Sequence, residues 1–405
     1  MMEMKKYKLG DCLSMIRNGA NIKQSEGAGG IPITRIETLS GDDFHRDRLG
    51  YADVYDIDPY TNHILQDNDI LMSHINSRTY LGRSVQYHKR ENEVIIHGMN
   101  LLRIQTKADI LDCSYAYYFF QNPYFKKCVD NRRTDAVNQS SINIANICDI
   151  KVDLPSLPIQ QKVASVLSAL DKKIALNRQI NQNLEALARQ LYDYWFVQFD
   201  FPDANGNPYK SSGGEMVYNP QLKREIPEGW EVKEIGAILD KVKSSTKLTT
   251  NEFAANGKYP IIDQATDTYY AGFTNREDAV LDQYPAVVFG DHSCAIKYVN
   301  FPFVRGADGT QVMISKEPRV STEYLYFAVK DVKIGKGYAR HYSFLKSSLI
   351  IVPSQAVALK FREKADNLLN QITHRREEIL SLTKQRDELL PLLMNGQVNF
   401  DLSAY

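Results

Sequence analysis

The sequence has few cysteines, no long apolar run and no net charge, and the first two shortages each exclude a class of protein. Its five cysteines are scattered and never form a Cys-x-x-Cys pair, so we expect reduced thiols rather than a disulfide framework or a zinc site. No stretch approaches the ~18 apolar residues that a membrane span needs, and residues 1–10 lack an apolar signal-peptide core. These absences predict a cytoplasmic protein that has no membrane partner.

The absence of net charge bears on nucleic-acid binding. Lys and Arg together number 49, and Asp and Glu together also number 49, so the formal charge is zero. A protein that binds nucleic acid unaided usually carries an excess of positive charge. If this chain binds nucleic acid, either its positive charge is segregated on one surface or a partner protein supplies part of it.

Several catalytic motifs are also missing. The sequence contains no Gly-x-x-x-x-Gly-Lys-[Ser/Thr] loop, no His-Glu-x-x-His and no Gly-x-Gly-x-x-Gly after a strand. The string Asp291-His292-Ser293-Cys294 places nucleophiles next to a histidine in sequence, which is not the spatial arrangement that nucleophilic catalysis uses. We therefore predict a chain with no catalytic residues, no metal ligands and no cofactor of its own.

Length and composition indicate at least two folded domains. The 405 residues exceed what one hydrophobic core usually supports. An apolar fraction of 43%, with 24 Tyr and 16 Phe, argues against disorder. The chain is therefore expected to fold into two or more domains.

An internal repeat is the most informative positive feature. Leu154-Pro155-Ser156 and Val352-Pro353-Ser354 each end a β-like run and begin a long helical segment, and the two prolines are 198 positions apart. A repeat with a fixed offset fixes the architecture before any motif is considered. Roughly half of the chain is thus one period.

Both long segments carry a heptad pattern, which is typical of helices that pair along their length. At about 1.5 Å per residue, the heptad positions of the first segment from Val163 to Trp195 would span roughly 48 Å. The periodicity does not distinguish parallel from antiparallel pairing, and polar Asn177, Asn181 and Arg375 either set the register or face solvent where the helices splay. The residues expected to pack in the helix pair are Val163, Leu167, Leu170, Ile174, Leu184, Leu191, Leu368, Ile372, Ile379, Leu382 and Leu389.

The segment preceding each helix mixes short alternating strands with a few helices, which predicts the α+β class. Strands are expected at residues 31–36, 69–73, 94–96, 101–104, 286–289 and 311–314, and short aromatic helices at 115–120 and 323–329. The predicted order along the chain is a first globular domain at 1–153, a long helix at 154–200, a linker at 201–225, a second globular domain at 226–352, and a second long helix with its tail at 353–405.

Four phrases in this order resemble the specificity subunits of type I restriction-modification systems, and the resemblance covers essentially the whole chain. The phrases are Pro155-Ser156-Leu157-Pro158-Ile159-Gln160-Gln161, Tyr194-Trp195-Phe196-Val197-Gln198-Phe199, Ile226-Pro227-Glu228-Gly229-Trp230, and Leu389-Leu390-Pro391-Leu392-Leu393-Met394-Asn395-Gly396-Gln397-Val398. The sequence departs from the family pattern in two places. Gln160 stands where Glu is usual, and the entry to the second helix lacks the Glu-Gln pair.

The resemblance implies an architecture and a function. The two helices should pack antiparallel, set the gap between two target-recognition domains and dock methyltransferase subunits, so that the domains read the halves of a bipartite, asymmetric DNA target. With half-site centres of order 34 to 48 Å apart, about one to one and a half duplex turns would separate them. The implied partners are double-stranded DNA, two methyltransferase subunits and the restriction-translocase subunits.

The chemistry is implied to belong to those partners. The complex would be a site-specific adenine DNA methyltransferase and an ATP-dependent endonuclease, with S-adenosylmethionine, ATP and Mg²⁺ bound by the partner subunits. Two other functions stay open from sequence alone. A coiled-coil scaffold would use its helices to bind proteins and would leave its basic clusters idle. A nuclease would need a carboxylate-metal constellation that the sequence does not display.

Candidate DNA contacts follow from the side chains that read bases. Arg and Lys recognise guanine, Asn and Gln recognise adenine, and further basic groups bind phosphates. Each cluster could instead be a solvated loop without a partner. The candidates are Arg17, Asn18, Lys23, Gln24, Arg35, Asn76, Arg78, Arg83, Arg132, Arg133, Asn138 and Gln139 in the first domain, and Lys243, Lys247, His292, Arg305, Lys336, Arg340 and His341 in the second.

Overall fold

The computed structural model of the chain describes residues 3–25, 29–41, 43–137, 139–335 and 341–398. The chain forms two compact units. The first unit combines Met1–Ala175 with Leu380–Tyr405, and the second unit is Leu176–Ile379. Each unit therefore takes one globular segment and part of each long helix, so the units group the predicted segments differently from their order along the chain.

A four-stranded antiparallel sheet forms the centre of the first unit. Its strand order is Ser84–Gln86, Ile70–Ser73, Leu101–Thr106 and Leu13–Asn18. The helix Cys113–Gln121 covers the sheet and buries six consecutive residues, four of them aromatic in a row from Tyr117 onwards. Asp112 begins this helix because its carboxylate accepts a hydrogen bond from the Tyr115 N–H at 2.9 Å.

Shorter elements complete the first unit. Lys5–Lys8 pairs antiparallel with Lys151–Leu154 and closes the globular segment. The predicted strand at 94–96 is reduced to isolated bridges at Ile96. The further strands are Gln24–Ser25, Ile31–Ile33, Leu39–Ser40, Asp43–Phe44, Gly50–Ala52, Ile75–Asn76, Thr134–Asp135 and Ser140–Ser141, the α-helices are Pro123–Arg132 and Ile144–Cys148, and the 3-10 helices are Leu9–Cys12, Ile36–Thr38, Arg46–Arg48 and Asp58–His63.

The second unit repeats this plan. A three-stranded sheet has the order Ile296–Val299, Ala286–Gly290 and Thr310–Met313. The helix Thr322–Asp331 corresponds to the aromatic helix of the first unit, and Glu231–Glu234 pairs with Leu349–Val352. The further strands are Met216–Asn219, Arg224–Pro227, Lys247–Leu248, Tyr259–Ile262, Gly272–Thr274, Val280–Leu281 and Phe303–Gly306, the α-helices are Ile235–Ile238 and His341–Ser347, and the 3-10 helices are Thr250–Glu252 and Glu277–Ala279.

The offset between equivalent elements is not constant. Lys151 and Leu349 begin equivalent strands 198 positions apart, but Lys5 and Glu231 begin equivalent strands 226 positions apart. The second globular segment is therefore shorter, and the predicted offset holds only next to the long helices. The segments between the equivalent strands account for the difference, because these strands and the covering helix are present in both units.

The two long helices are Leu157–Tyr192, which ends in a π-helical turn at Asp193–Val197, and Gln355–Met394. In the first unit the side chains of Asp171 and Arg386 meet at 3.0 Å, and Val163 shares a buried cluster with Leu393. As the position on the first helix falls from 171 to 163, the position that it meets on the second helix rises from 386 to 393. The α+β class and the antiparallel helix pair are thus confirmed.

All the predicted packing positions are at least partly covered. Val163, Leu167, Ile174 and Ile372 are buried, and Leu170, Leu184, Leu191, Leu368, Ile379, Leu382 and Leu389 are half-buried. Among the polar positions, Asn177 is fully buried and Asn181 is 8% exposed. The interpretation that these two asparagines face solvent is therefore wrong, and they pack between the helices.

The aromatic phrase that ends the first long helix packs into the second unit. Phe196 lies 4.8 Å from Phe361 and 4.6 Å from Tyr324, measured between ring centroids. Residues 201–225, predicted as a linker, contribute Phe201, whose ring stacks on Trp230 at 4.9 Å. Large aromatic surfaces thus pack the phrase at residues 194–199 against the phrase that ends in Trp230.

Gln160 fits its site better than glutamate would. Its buried amide donates to the carbonyl oxygens of Ile110 and Pro155 at 3.0 and 2.9 Å, and its Oε1 accepts from the Asp112 N–H at 2.9 Å. A carboxylate cannot donate to these two carbonyls. The departure from the family pattern thus ties the start of the long helix to the start of the aromatic helix.

Candidate nucleic-acid interface

In the first unit, the loops that carry most of the predicted contacts leave one end of the central sheet. Asn18 pairs with Leu102, Leu101 pairs with Ser73, and the Ser73 N–H donates to the Arg83 carbonyl at 2.8 Å. These residues therefore lie at the same end of the sheet, where the strands run into loops. We call the adjoining loops, residues 18–24, 34–37, 73–83, 97–100 and 132–141 apart from Asn138, the first loop surface.

One part of this surface brings together predicted residues from distant positions. Asn76 pairs with Ser140, which pairs with Asp135, so the segment after the second sheet strand lies beside residues 134–141. Arg83 stacks over the ring of exposed Tyr80 at 4.3 Å. Gln139 is exposed beside this strand pair, Arg132 donates to the Cys128 carbonyl at 3.4 Å, and Asn138 lies outside the described residues.

Carboxylates neutralise two arginines of this part. Arg133 donates to Asp130 and to Asp135, each at 2.8 Å. Arg78 approaches Asp130 at 3.8 Å. These ion pairs reduce the positive charge that this part offers to an anionic partner.

A cleft of about 220 Å³ opens beside the strand Gln24–Ser25. We call it the Arg35 cleft, because Arg35 lies half-buried within it and donates through Nε to Gln24 Oε1. Lys23 is exposed next to Gln24. The residues lining the cleft are Ala20, Asn21, Ile22, Gln24, Thr34, Arg35, Ile36, Glu37, Met99 and Asn100.

Arg17 is half-buried in the sheet rather than exposed on its loops. It pairs across the strands with Arg103, whose Nε lies 2.6 Å from Asp69 in a buried ion pair. Burial and the charge of Arg103 lower the pKa of the Arg17 guanidinium, although the Asp69 charge opposes this. Nε and Nη2 of Arg17 have no hydrogen-bond partners among the residues that the structure describes. Arg17 thus adds positive potential beneath the sheet edge that Asn18 marks.

Two histidines lie in the same unit near these arginines. Burial, followed by the charges of Arg17 and Arg103, lowers the pKa of His63. Burial also lowers the pKa of His97 to about 3, and its Nε2 lies 2.8 Å from the Leu101 carbonyl oxygen. Both imidazoles are therefore neutral at pH 7, which leaves the arginines as the cations of this region.

In the second unit, Lys247 and Arg305 lie on adjacent parallel strands and pair with each other in register. Arg305 donates through Nε to Ser245 Oγ at 3.1 Å and through Nη2 to the Ser245 carbonyl at 2.9 Å. Burial lowers the pKa of Arg305. Lys243 is exposed and forms an ion pair with Asp282 at 3.1 Å.

The loop after the central strand Ala286–Gly290 brings the histidines near one another. The His292 N–H donates to Gln264 Oε1 at 3.2 Å. The Tyr342 N–H donates to Asp291 Oδ1 at 2.7 Å, which places His341 beside this loop. We call residues 243–248, 263–265, 290–295, 305–309 and 341–342 the second loop surface. Lys336 and Arg340 lie outside the described residues.

Sequence reasoning missed several residues of these surfaces. Glu37, Met99 and Asn100 line the Arg35 cleft, and Gln264 contacts His292. The available signal was weak: Gly98-Met99-Asn100 is a turn-like string between apolar runs. Their juxtaposition depends on pairing between segments distant in sequence, since the Thr34 N–H donates to the Ile96 carbonyl at 3.0 Å and the Gly98 N–H donates to Thr34 Oγ1 at 2.8 Å.

The described residues contain no cluster of three or more His, Cys, Asp or Glu side chains arranged to hold a metal ion. Over the same part of the chain, no helix combines the length and apolar character needed to cross a bilayer. All five cysteines are present as free thiols.

Comparison with known proteins gives a consistent family. The model described as "Type I restriction modification DNA specificity domain" matches residues 1–186 and 227–380. The chain is 34% identical over 232 residues to the putative type I restriction enzyme MjaX specificity subunit of Methanocaldococcus jannaschii, an alignment that covers 56% of this chain and about half, 51%, of that relative. It is 27% identical over 317 residues to the MjaIX specificity subunit of the same organism, covering 71% of this chain and 69% of that one.

One solved structure shares the fold. The crystal structure of the type I restriction-modification S subunit from M. genitalium superposes with a TM-score of 0.58 at 15% sequence identity. The superposition covers 97% of this chain and 96% of that chain. At this identity, the likeness bears on the fold alone.

Proposed function

The chain belongs to the type I restriction-modification DNA specificity family, and on this basis we propose that it is the DNA-reading subunit of such a system. One observation carries the proposal. A domain that occurs twice directs loops rich in Arg, Lys, Asn and Gln from an edge of its central sheet, in the first unit beside Asn18 and Ser73 and in the second beside Gly290. These are the side chains that bind phosphates and read base edges.

The two surfaces carry different side chains, so the target is asymmetric. The first loop surface offers Asn76, Arg83 and the Arg35 cleft, whereas the second offers Lys247 and His292. Each would read one half of a bipartite sequence. The antiparallel helix pair would set the length of the unspecified gap between the halves.

Catalysis would come from other chains. We propose that the helix pair docks two methyltransferase subunits, that restriction-translocase subunits join them, and that the complex methylates adenine and cleaves DNA with ATP. S-adenosylmethionine, ATP and Mg²⁺ would bind to those subunits. The balanced charge supports this division, because a partner can supply much of the phosphate-neutralising surface that drives binding.

The proposal is tested by expressing the chain with its candidate methyltransferase in a host that lacks other DNA methylases. Genome-wide mapping of methylated bases should give a gapped, two-part motif that appears only when this chain is present. Replacing residues 1–153 with the equivalent segment of a relative should change one half of the motif, and replacing residues 226–352 should change the other.

Two results would overturn the proposal. Methylation that proceeds without this chain would show that it is not the reader. A continuous motif without a gap would exclude two separate readers and would favour the alternative that the chain is a coiled-coil scaffold.

A further inference from the structure

The side chains predicted to contact DNA differ in whether a carboxylate or another acceptor of this chain already binds their charged group. Arg133 donates to two carboxylates, and Lys243 forms an ion pair with Asp282. Arg305 has no carboxylate partner among the described residues, but two of its donors bind Ser245. Arg35 differs from all three. Within the described chain its guanidinium has no carboxylate within ion-pair distance, and its hydrogen bond to Gln24 uses Nε. The two terminal nitrogens, Nη1 and Nη2, remain available.

The guanidinium of Arg35 is also held in place. A Cβ atom on Gly50 would fall inside van der Waals contact of Arg35 Nε, and would lie 2.7 Å from Arg35 Cζ and 2.7 Å from Gln24 Oε1. A side chain at position 50 would therefore displace the ends of these two side chains, and glycine leaves room for their present arrangement. Since Gln24 fixes Nε and Gly50 provides the slot, the terminal nitrogens are presented as a fork of fixed orientation, which matches the oxygens of a phosphate or carboxylate.

The shape of the Arg35 cleft indicates which group it receives. Thr34 is buried on its floor and Arg35 is half-buried, whereas Asn21, Met99 and Asn100 are exposed on its rim. In duplex DNA the base edges are recessed in a major groove about 8.5 Å deep, whereas the phosphates lie on the outside. The recessed guanidinium of Arg35 therefore reaches a protruding phosphate more readily than it reaches a recessed base edge.

We propose that the Arg35 cleft is a seat for a backbone phosphate of the DNA, with Arg35 as its anion-binding group and Gln24 and Gly50 as positioning residues. The inference rests on the proposed function. The cleft would fix the position of the first loop surface on the duplex without reading a base. Phosphate contacts act in this way in protein-DNA complexes generally.

Glu37 provides a variant of opposite sign. Its carboxylate is exposed on the cleft rim, where it would repel a phosphate. If the cleft received a base, the same carboxylate would accept a hydrogen bond from an amino group such as cytosine N4. Removing the Glu37 charge should therefore tighten binding if the cleft receives a phosphate, and should weaken binding if the cleft receives a base.

The test uses the chain in complex with its methyltransferase, a duplex with the mapped motif and a duplex without it, at several salt concentrations. Arg35→Gln should weaken binding to both duplexes by the same factor, about 10-fold. It should reduce the slope of log affinity against log salt by about 1. Glu37→Gln should tighten binding to both duplexes and leave the mapped motif unchanged.

Two further variants control for charge and position. Lys89→Gln removes one positive charge from an exposed turn that follows Gln86, at the opposite end of the central sheet, and should leave the affinity unchanged. Gly50→Ala keeps the charge of Arg35 but displaces its guanidinium, so it should weaken binding as Arg35→Gln does. Thermal melts establish that each variant is folded.

The outcomes are distinct. If Arg35→Gln behaves like Lys89→Gln, the cleft binds no phosphate. If Arg35→Gln or Glu37→Gln changes a base in one half of the motif, the cleft reads a base instead. If the unmodified complex does not prefer the mapped duplex, the proposed function fails, but the salt slope still reports on the phosphate seat.

Discussion

Nη1 of Arg375 donates a hydrogen bond to Oδ1 of Asn177 at 3.2 Å, and the two residues are 198 positions apart, the offset of the repeat beside the long helices. Two antiparallel copies of one helix bring equivalent positions together only where they cross. Asn177 is fully buried, and in the part of the chain that the structure describes its Nδ2 has no hydrogen-bond partner, nor does Oδ1 of Asn181. A buried polar pair at this point favours one register over its neighbours.

We expect the pair to be coupled in stability. Arg375→Met should lower the free energy of unfolding by about 1–2 kcal/mol, because it leaves the buried Asn177 amide without its partner. Asn177→Leu combined with Arg375→Met should be more stable than the single Arg375 variant, since an apolar pair replaces an incompletely bonded polar one. Chemical denaturation of the two single variants and the double variant measures the coupling. Additive effects would contradict the pairing.

A second prediction concerns Asp171, which joins the aromatic helix to both long helices in the first unit. Its carboxylate accepts from Tyr118 Oη at 2.6 Å and from Arg386 Nη1 at 3.0 Å. Tyr118→Phe should destabilise the unit by about 1.5–3 kcal/mol, because a hydrogen bond to a charged acceptor is lost.

Tyr124→Phe is the matched control, since the exposed Tyr124 hydroxyl donates to the neutral Lys151 carbonyl at 3.1 Å. Its effect on the melting temperature should be smaller. Equal losses in the two variants would mean that Asp171 contributes no charge-assisted bond.

The buried ion pair of Asp69 and Arg103 leads to a third prediction. The two side chains are 0% and 3% exposed, and Asp69 also accepts from the Gln66 N–H and from Gln105 Nε2, both at 2.6 Å. Asp69→Ala should cost about 3–5 kcal/mol, because it leaves the Arg103 charge buried and uncompensated. Removing the exposed partner of Asp149 with Lys8→Ala should leave the melting temperature unchanged. Comparable losses of stability in the two variants would show that burial does not increase the contribution of the Asp69–Arg103 ion pair to the free energy of unfolding.

The fourth prediction is a pH dependence that comes from His97. Burial lowers the pKa of its imidazole to about 3 in the folded protein, whereas the pKa of an unfolded histidine is about 6.5. Between these values the unfolded chain binds a proton that the folded chain does not. Stability should therefore decrease as the pH falls from about 6.5 towards 3, by about 1.4 kcal/mol per pH unit for this one group.

The measurement compares melting temperatures at pH 7 and pH 5. His97→Gln should reduce the difference between them, whereas the same change at exposed His88 should not. An unchanged pH difference in His97→Gln would assign the acid sensitivity to other groups.

The sequence by itself determined the local elements and the repeat. The β-like apolar run that ends at Val352 predicted the strand that occurs at Leu349–Val352, and the heptads predicted both long helices and their covered positions. The aromatic helix Thr322–Asp331 was expected within a few residues of its bounds. These features can be predicted from sequence because burial gives the apolar positions of each element a period of 2.0 or about 3.6 residues.

Tertiary structure alone decided what those elements meet. The heptads were equally compatible with parallel helices, and contacts such as those of Asp171 with Arg386 and of Asn177 with Arg375 fix the antiparallel pairing. No periodic pattern predicts that Arg305 donates hydrogen bonds to Ser245, which is 60 positions away in sequence. A periodic pattern reports which face of an element is buried, whereas the identity of its neighbour depends on loop closure and on packing between elements distant in sequence.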